Sequence, residues 1–250
     1  MPCLLQEADE YLLRKLLKVH SKTAKECLYL ETGSIPIKHI IMSRRLNYLH
    51  HIITRDADEL ISRVYVAQKR RPIKDDWVLT VERDKLSLGI QENDETLKKF
   101  SKNMFKKFIK QKIRSLAFYD LKQIQKGHSK VNEIVYNKFT IQKYLKSDIF
   151  SYKEMCLIFK LKTRMVDVKT NFRMFYSDLL CRICKKEEEN QEHLLLCEKV
   201  IESCPELFDD TSIIYEDIFS DKEEKLLKVI KLFKSALEIR KILEQRMDNS

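Results

Sequence analysis

Glycine is scarce in this chain: Gly33, Gly89 and Gly127 are the only three in 250 residues. No two of them stand close enough to build a phosphate-cradling loop, which excludes the nucleotide-binding classes that depend on one. Proline is as rare, with Pro2, Pro36, Pro72 and Pro205. Sheet-rich domains need more turn-forming residues than this, so the fold is expected to be mainly α. No apolar run approaches the roughly 18 residues that a membrane-spanning helix requires. The opening Met1-Pro2-Cys3-Leu4-Leu5 turns acidic at Glu7 and does not read as a signal sequence. The expectation is a protein of the nucleus or cytoplasm, not secreted and without a membrane partner. Seven cysteines, an odd number at irregular spacing, argue against a secreted disulfide framework.

Catalytic constellations are also missing. Two-metal polymerases and nucleases need paired carboxylates holding ions about 4 Å apart. The only adjacent aspartates are Asp75-Asp76 and Asp209-Asp210. The first pair precedes an apolar helical run and is expected to cap it. The second lies in an acidic linker and is expected to be a solvated turn. No Ser/His/Asp or Cys/His nucleophile arrangement has local support. His39, His50 and His51 share one helix with arginines and are expected to face solvent or touch phosphate. The chain is therefore expected not to be an enzyme on its own, with no Mg²⁺ site.

What is present begins with Cys181-Arg182-Ile183-Cys184, followed after eight residues by His193-Leu-Leu-Leu-Cys197. Three thiolates and one imidazole complete a tetrahedral set for Zn²⁺. The first pair suits a tight knuckle, and residues 193 and 197 share one face of a helix. A thioredoxin-type pair would need a βαβ context, which the flanks do not offer. Cys204, followed by Pro205, is expected outside the set. Four protein ligands leave no open position for water, so the zinc would be structural. It would let a segment with little core fold, with Arg182, Lys185 and Lys186 on the rim against the acidic run Glu187-Glu188-Glu189.

The second positive feature is charge. The formal net charge is +10, and residues 98–146 carry fourteen basic side chains against two acidic ones. Such concentration points to a polyanion, RNA or DNA. Periodicity places helices at 7–19, from Ser21 as N-cap through Tyr29 with Gly33 ending it, and after Ser34 and Pro36. Further helices are expected near 58–69 and from Trp77 to Gly89. The acidic run 91–96 is the candidate seam. A long basic amphipathic helix follows over 96–125, with Leu97, Phe100, Met104 and Phe108 on one ridge and Phe105, Ile109, Ile113 and Leu116 on its neighbour. Another is expected over 152–165, with Lys160, Lys162 and Arg164 outward. A last helix over 221–246 carries Leu226, Ile230, Phe233 and Leu237.

Taken in order, several runs resemble a known family. They are Leu28-Tyr29-Leu30-Glu31-Thr32-Gly33-Ser34-Ile35-Pro36-Ile37, then Ser43-Arg44-Arg45-Leu46-Asn47-Tyr48-Leu49, then Gln68 and Asp76-Trp77-Val78. His128-Ser129-Lys130-Val131, Lys169-Thr170-Asn171-Phe172 and the knuckle with Gln191-Glu192-His193-Leu194 complete the series. Over about residues 5–204 the chain resembles the region after the palm of non-LTR (LINE-type) retrotransposon reverse transcriptases. The chain is then expected to comprise a thumb-like helical region (1–90), a basic amphipathic helix and loop (91–147), a zinc-knuckle module (148–204), and, beyond the resemblance, an acidic linker with a C-terminal helix (205–250). The resemblance also implies contacts to template, primer duplex and target DNA. They would come from Arg44, Arg45 and the basic stretch, including Lys98, Lys99, Lys102, Lys106, Lys107, Lys110, Lys112, Arg114 and Lys130; Arg182 on the knuckle rim joins them. Fingers, palm and paired-aspartate site are absent from the resemblance, so the chain reads as a nucleic-acid-binding fragment. Two alternatives are a piece of an active RNA-directed DNA polymerase, and a domesticated interaction module that self-associates through its C-terminal helix.

Overall fold

A computed structural model describes residues 4–74, 76–203, 205 and 215–248. Helices dominate, and among the described residues the only β-pairing is an isolated antiparallel bridge between Leu180 and Glu188. The chain is thus mainly α, as its few turn-forming residues require. By contacts it divides into two units, Met1–Glu10 with Ser34–Ile124, and Tyr11–Gly33 with Gln125–Ser250.

The eleven α-helices among the described residues are α1 (Leu4–Leu17), α2 (Lys25–Thr32), α3 (Ile37–Ile53), α4 (Leu60–Arg70), α5 (Trp77–Ser87), α6 (Asp94–Lys98), α7 (Lys102–Lys126), α8 (Tyr152–Lys162), α9 (His193–Leu196), α10 (Glu198–Ser203) and α11 (Glu223–Asp248). In the first unit, Leu46, Leu49 and Ile52 of α3 meet Val78 and Val81 of α5 and the buried ridge Phe105, Ile109, Ile113 of α7. Each such side chain contributes about 1.5–3 kcal/mol relative to exposure. Gly89, at φ 60°, turns the chain after α5 so that the Ile90 amide reaches back to the Lys85 carbonyl.

Several expectations need correction here. The acidic run 91–96 lies inside the first unit: Asn93 caps α6 through the Thr96 amide, and Asp94 accepts from Tyr65 Oη and Lys69 Nζ. The helix expected over 96–125 is two helices. Ser101 Oγ accepts the Met104 amide and begins α7 afresh, while His50 Nε2 holds the Phe100 carbonyl at 3.1 Å. Met104, expected on a buried ridge, is exposed. Asp76 does stand at the N-cap of α5, but its side chain makes no capping bond; Asp75 and Asp209-Asp210 lie outside the described residues. Nor does Ser21 cap α2, which begins after Ala24.

The histidines are corrected as well. His39 is buried, its Nε2 3.1 Å from Asp120. His50 is buried and stacked on Phe105 at 4.3 Å. Of the three on α3, only His51 faces solvent. Burial, then the neighbouring Lys38 charge, lowers the His39 pKa from 6.5 despite Asp120. The unfolded chain then binds the proton more readily, so stability is complete above about pH 6.5 and falls as pH drops through the lowered folded value. Chemical denaturation of wild type and His39→Gln across pH 5–7 should show a shallower pH slope in the variant; equal slopes would remove His39 as the source.

The second unit is organised on α2. Six consecutive residues from Glu26 to Glu31 are buried, so this short helix is enclosed on all sides. Glu31 is fully buried. It accepts from Tyr136 Oη at 2.7 Å and Tyr144 Oη at 2.8 Å, and lies 3.8 Å from Lys162 Nζ. Burial and the Glu31 charge push both phenols upward, so they stay protonated donors. Lys162 was expected to point outward. Its stem instead crosses the core, and its ammonium lies over the Tyr144 ring at 5.1 Å. Gly33 ends α2 at φ 65°, and a Cβ there would sit 2.4 Å from the Ile141 amide nitrogen. Only glycine permits both that turn and the close approach of residues 140–141.

Candidate metal centre and nucleic-acid interface

The knuckle is built by local backbone bonds. The Cys181 amide donates to the Glu187 carbonyl at 2.6 Å, and the Lys185 amide to the Cys181 carbonyl at 3.1 Å. Lys185 takes φ 56°, the left-handed step that reverses the chain after Cys184. His193 begins α9, its amide held by Asn190 Oδ1 at 2.6 Å, and Cys197 stands at the end of that helix in an extended conformation.

These turns bring Cys181, Cys184, His193 and Cys197 together, with all four ligand atoms within 4.8 Å of one another. Cys181 Sγ and Cys197 Sγ are 3.9 Å apart, and Cys184 Sγ is 3.4 Å from His193 Nε2. A tetrahedron with Zn–S near 2.3 Å and Zn–N near 2.0 Å has edges of about 3.8 Å between sulfurs and about 3.5 Å from sulfur to nitrogen. The cluster therefore has the size and donor chemistry of a four-coordinate metal site. Cys204 lies outside the described residues.

The surroundings suit thiolates. Cys181 Sγ accepts from the amides of Ile183 and Cys184, Cys184 from Lys186 and Glu187, and Cys197 from Lys199 and Val200. Without a metal the three thiols differ. Burial pushes Cys181 up to about 12 and raises Cys197. Burial acts in the same sense on Cys184, but the Lys186 and Glu187 amides outweigh it and bring that thiol down to about 7. The remaining nitrogen of the imidazole, Nδ1, is 3.0 Å from Glu187 Oε2, which fixes Nε2 toward the thiols.

The site does not stand alone. Cys181 and Cys197 belong to a core with Leu161 of α8, Val200 of α10 and Val229, Phe233 and Ala236 of α11. Behind it lies an ion network. Glu189 is fully buried, with Oε2 3.3 Å from Arg182 Nε and Oε1 3.2 Å from Arg240 Nη1. Arg240 also donates to the Asp167 carbonyl, and Arg182 to Tyr176 Oη at 3.0 Å. Three readings change. The knuckle segment shares its core with α11 rather than depending on metal alone. Glu189 is an internal anion, not part of an opposing surface charge. Arg182 is drawn inward by Glu189, Asp167 and Glu244 and is not a free rim cation. Lys186 is on the rim but pairs with Glu198 at 2.6 Å.

The other expected contact residues divide similarly. Arg44 is exposed. Arg45 makes two bonds to buried Asp84, at 2.6 and 3.0 Å, tying α3 to α5. Lys112 leans over Phe108 and reaches the Gly89 carbonyl at 3.4 Å, and Arg114 is half-buried. Lys98, Lys99, Lys102, Lys106, Lys107 and Lys110 are all exposed. Lys130 also reaches solvent, its Nζ 3.5 Å from the Asn171 carbonyl. Glu187 was missed as a support of the metal site, although its place three residues after Cys184 was a usable signal. Arg240, forty-three residues beyond Cys197, gave no local signal.

The chain matches no protein-family model, no curated protein and no solved structure. Its chemistry has to be read from this geometry. Among the described residues no helix is long and apolar enough to cross a membrane.

Proposed function

We propose that this chain is a zinc-stabilised nucleic-acid-binding module, corresponding to the part that follows the palm in the LINE-type reverse transcriptases it resembles. Its intact parent would be an RNA-directed DNA polymerase. The observation that carries the binding role is the lysine face of α7. Lys102, Lys106, Lys107 and Lys110 are exposed, and none has an ion-pair partner among the described residues. Lys102, Lys106 and Lys110 follow one another at four-residue spacing, where like charges cost about 0.2–0.5 kcal/mol per pair. A polyanion turns that repulsion into binding energy by releasing counterions.

Zinc fits the donor set of three sulfurs and one imidazole, and a closed shell of four protein ligands would give it a structural role. Self-association through α11 is the weaker alternative, because Val229, Ile230, Phe233 and Ala236 of its apolar stripe are buried within their own unit. The test is fluorescence anisotropy with a labelled RNA–DNA duplex at several salt concentrations. Affinity should fall steeply with salt, and Lys106→Ala with Lys107→Ala should reduce the log–log slope by about 2. A flat salt dependence in the wild-type protein would refute the electrostatic reading.

A further inference from the structure

A second surface, on the other unit, combines cations with exposed aromatic rings. Lys15 Nζ lies 5.3 Å from the centre of the Tyr11 ring, Lys18 Nζ 4.9 Å from that of Tyr152, and Lys22 Nζ 4.9 Å from that of Phe175. The rings are not core residues: Tyr11 is 59%, Tyr152 49% and Phe175 64% exposed. Their lysines are exposed as well. The three lysines follow one another along residues 15–22, two of their rings come from Tyr152 and Phe175, and all six residues belong to the same unit.

The segment beyond Glu10 is basic. Residues 11–25 contain Arg14, Lys15, Lys18, Lys22 and Lys25 and no acid. A cleft of about 440 Å³ opens there between Tyr11, Arg14, Lys15, Lys18, Val19 and Ser21, with no carboxylate in its lining. The backbone is also shaped around it. Lys18 ends α1 at φ 51°, in the left-handed region that favours glycine. The turn is closed by the Val19 amide on the Arg14 carbonyl at 3.0 Å, and Tyr152 Oη donates to the Leu16 carbonyl.

Exposed rings offer every base a stacking face, while ammonium groups beside them meet phosphates. A duplex hides its base faces and cannot use the rings. We infer that the Tyr11–Lys15, Lys18–Tyr152 and Lys22–Phe175 pairs form a binding site for single-stranded nucleic acid, separate from the lysine face of α7. The site stands on its own geometry and does not depend on the α7 reading.

The test uses the full chain with fluorescein-labelled oligo(dT), oligo(U), a duplex of equal length and poly-glutamate. Tyr11→Ala and Phe175→Ala should each weaken single-strand binding at least about fivefold and leave duplex binding unchanged. Lys18→Gly separates binding from folding: it relieves the left-handed strain, so its melting temperature should hold or rise, yet its single-strand affinity should fall. Lys106→Ala with Lys107→Ala should do the reverse of Tyr11→Ala, weakening duplex more than single strand. Ultraviolet cross-linking should place the oligonucleotide on peptides covering residues 11–22 and 172–176. Wild-type single-strand affinity in Tyr11→Ala, Phe175→Ala and Lys18→Gly overturns the site. Tyr11-dependent binding of poly-glutamate at equal strength overturns the choice of ligand.

Discussion

The wild-type chain is expected to bind one zinc ion at the Cys181, Cys184, His193 and Cys197 cluster, and Cys184→Ser should lose it. Cys184 is the ligand most ready to bind, since its thiol lies at about 7. Its loss leaves Cys181, His193 and Cys197, a three-ligand set with an open position. Loss of an outer partner of a metal site costs about 10–100-fold in affinity, so Glu187→Gln should fall in that range and Cys184→Ser well beyond it. Zinc must displace the protons of Cys181 and Cys197, both raised by burial. Affinity should therefore weaken as pH falls, in both wild type and Glu187→Gln. Competition with a chromophoric chelator measures all three proteins. The structural consequence should be partial: amides of residues 179–197 lose protection from hydrogen exchange, while α11 keeps its contacts with α8 through Phe233 and Leu161. Full zinc content in Cys184→Ser would falsify the four-ligand assignment.

Glu31→Ala should produce the largest loss of stability, about 3–5 kcal/mol, because it leaves a buried partner uncompensated. Tyr136 and Tyr144 would each keep a buried hydroxyl without its acceptor, and Lys162 would keep a buried ammonium without its counter-charge. Glu31→Gln should fall between wild type and Glu31→Ala, since an amide oxygen still accepts one phenol but supplies no charge for Lys162. Urea denaturation followed by circular dichroism reads the difference. If Glu31→Ala unfolds at the wild-type midpoint, the two tyrosines do not depend on the carboxylate.

Helix was legible from composition and from apolar spacing, and the positions of Gly33 and Gly89 marked real ends. The Cys/His cluster was legible as well. Its donors are chemically unusual, and their separations are short enough for two local turns to bring them together. The failures share one cause. A sequence shows that Arg45 and Lys162 carry charge, but it does not show that Asp84 and Glu31 arrive from distant segments to take it up, nor that Glu189, seven residues beyond Arg182, is turned inward to Arg182 and Arg240. His39 and His50 were read as surface groups for the same reason, since Asp120 and the Phe100 carbonyl lie far along the chain.

The Leu28–Ile37 run shows the division most clearly. By its sequence it suggested a family; its physical content is a helix buried on every side, a carboxylate shared by two phenols, and a glycine where backbone crosses backbone. The sequence by itself determined the helical class, the four-residue Cys/His cluster that could hold a metal and the excess of lysine on α7, because each rests on residues close together. Which cations are taken up by internal carboxylates, and which aromatic rings stay outside the core, only the tertiary structure decided. Those outcomes depend on partners brought near by folding, and no local pattern encodes them.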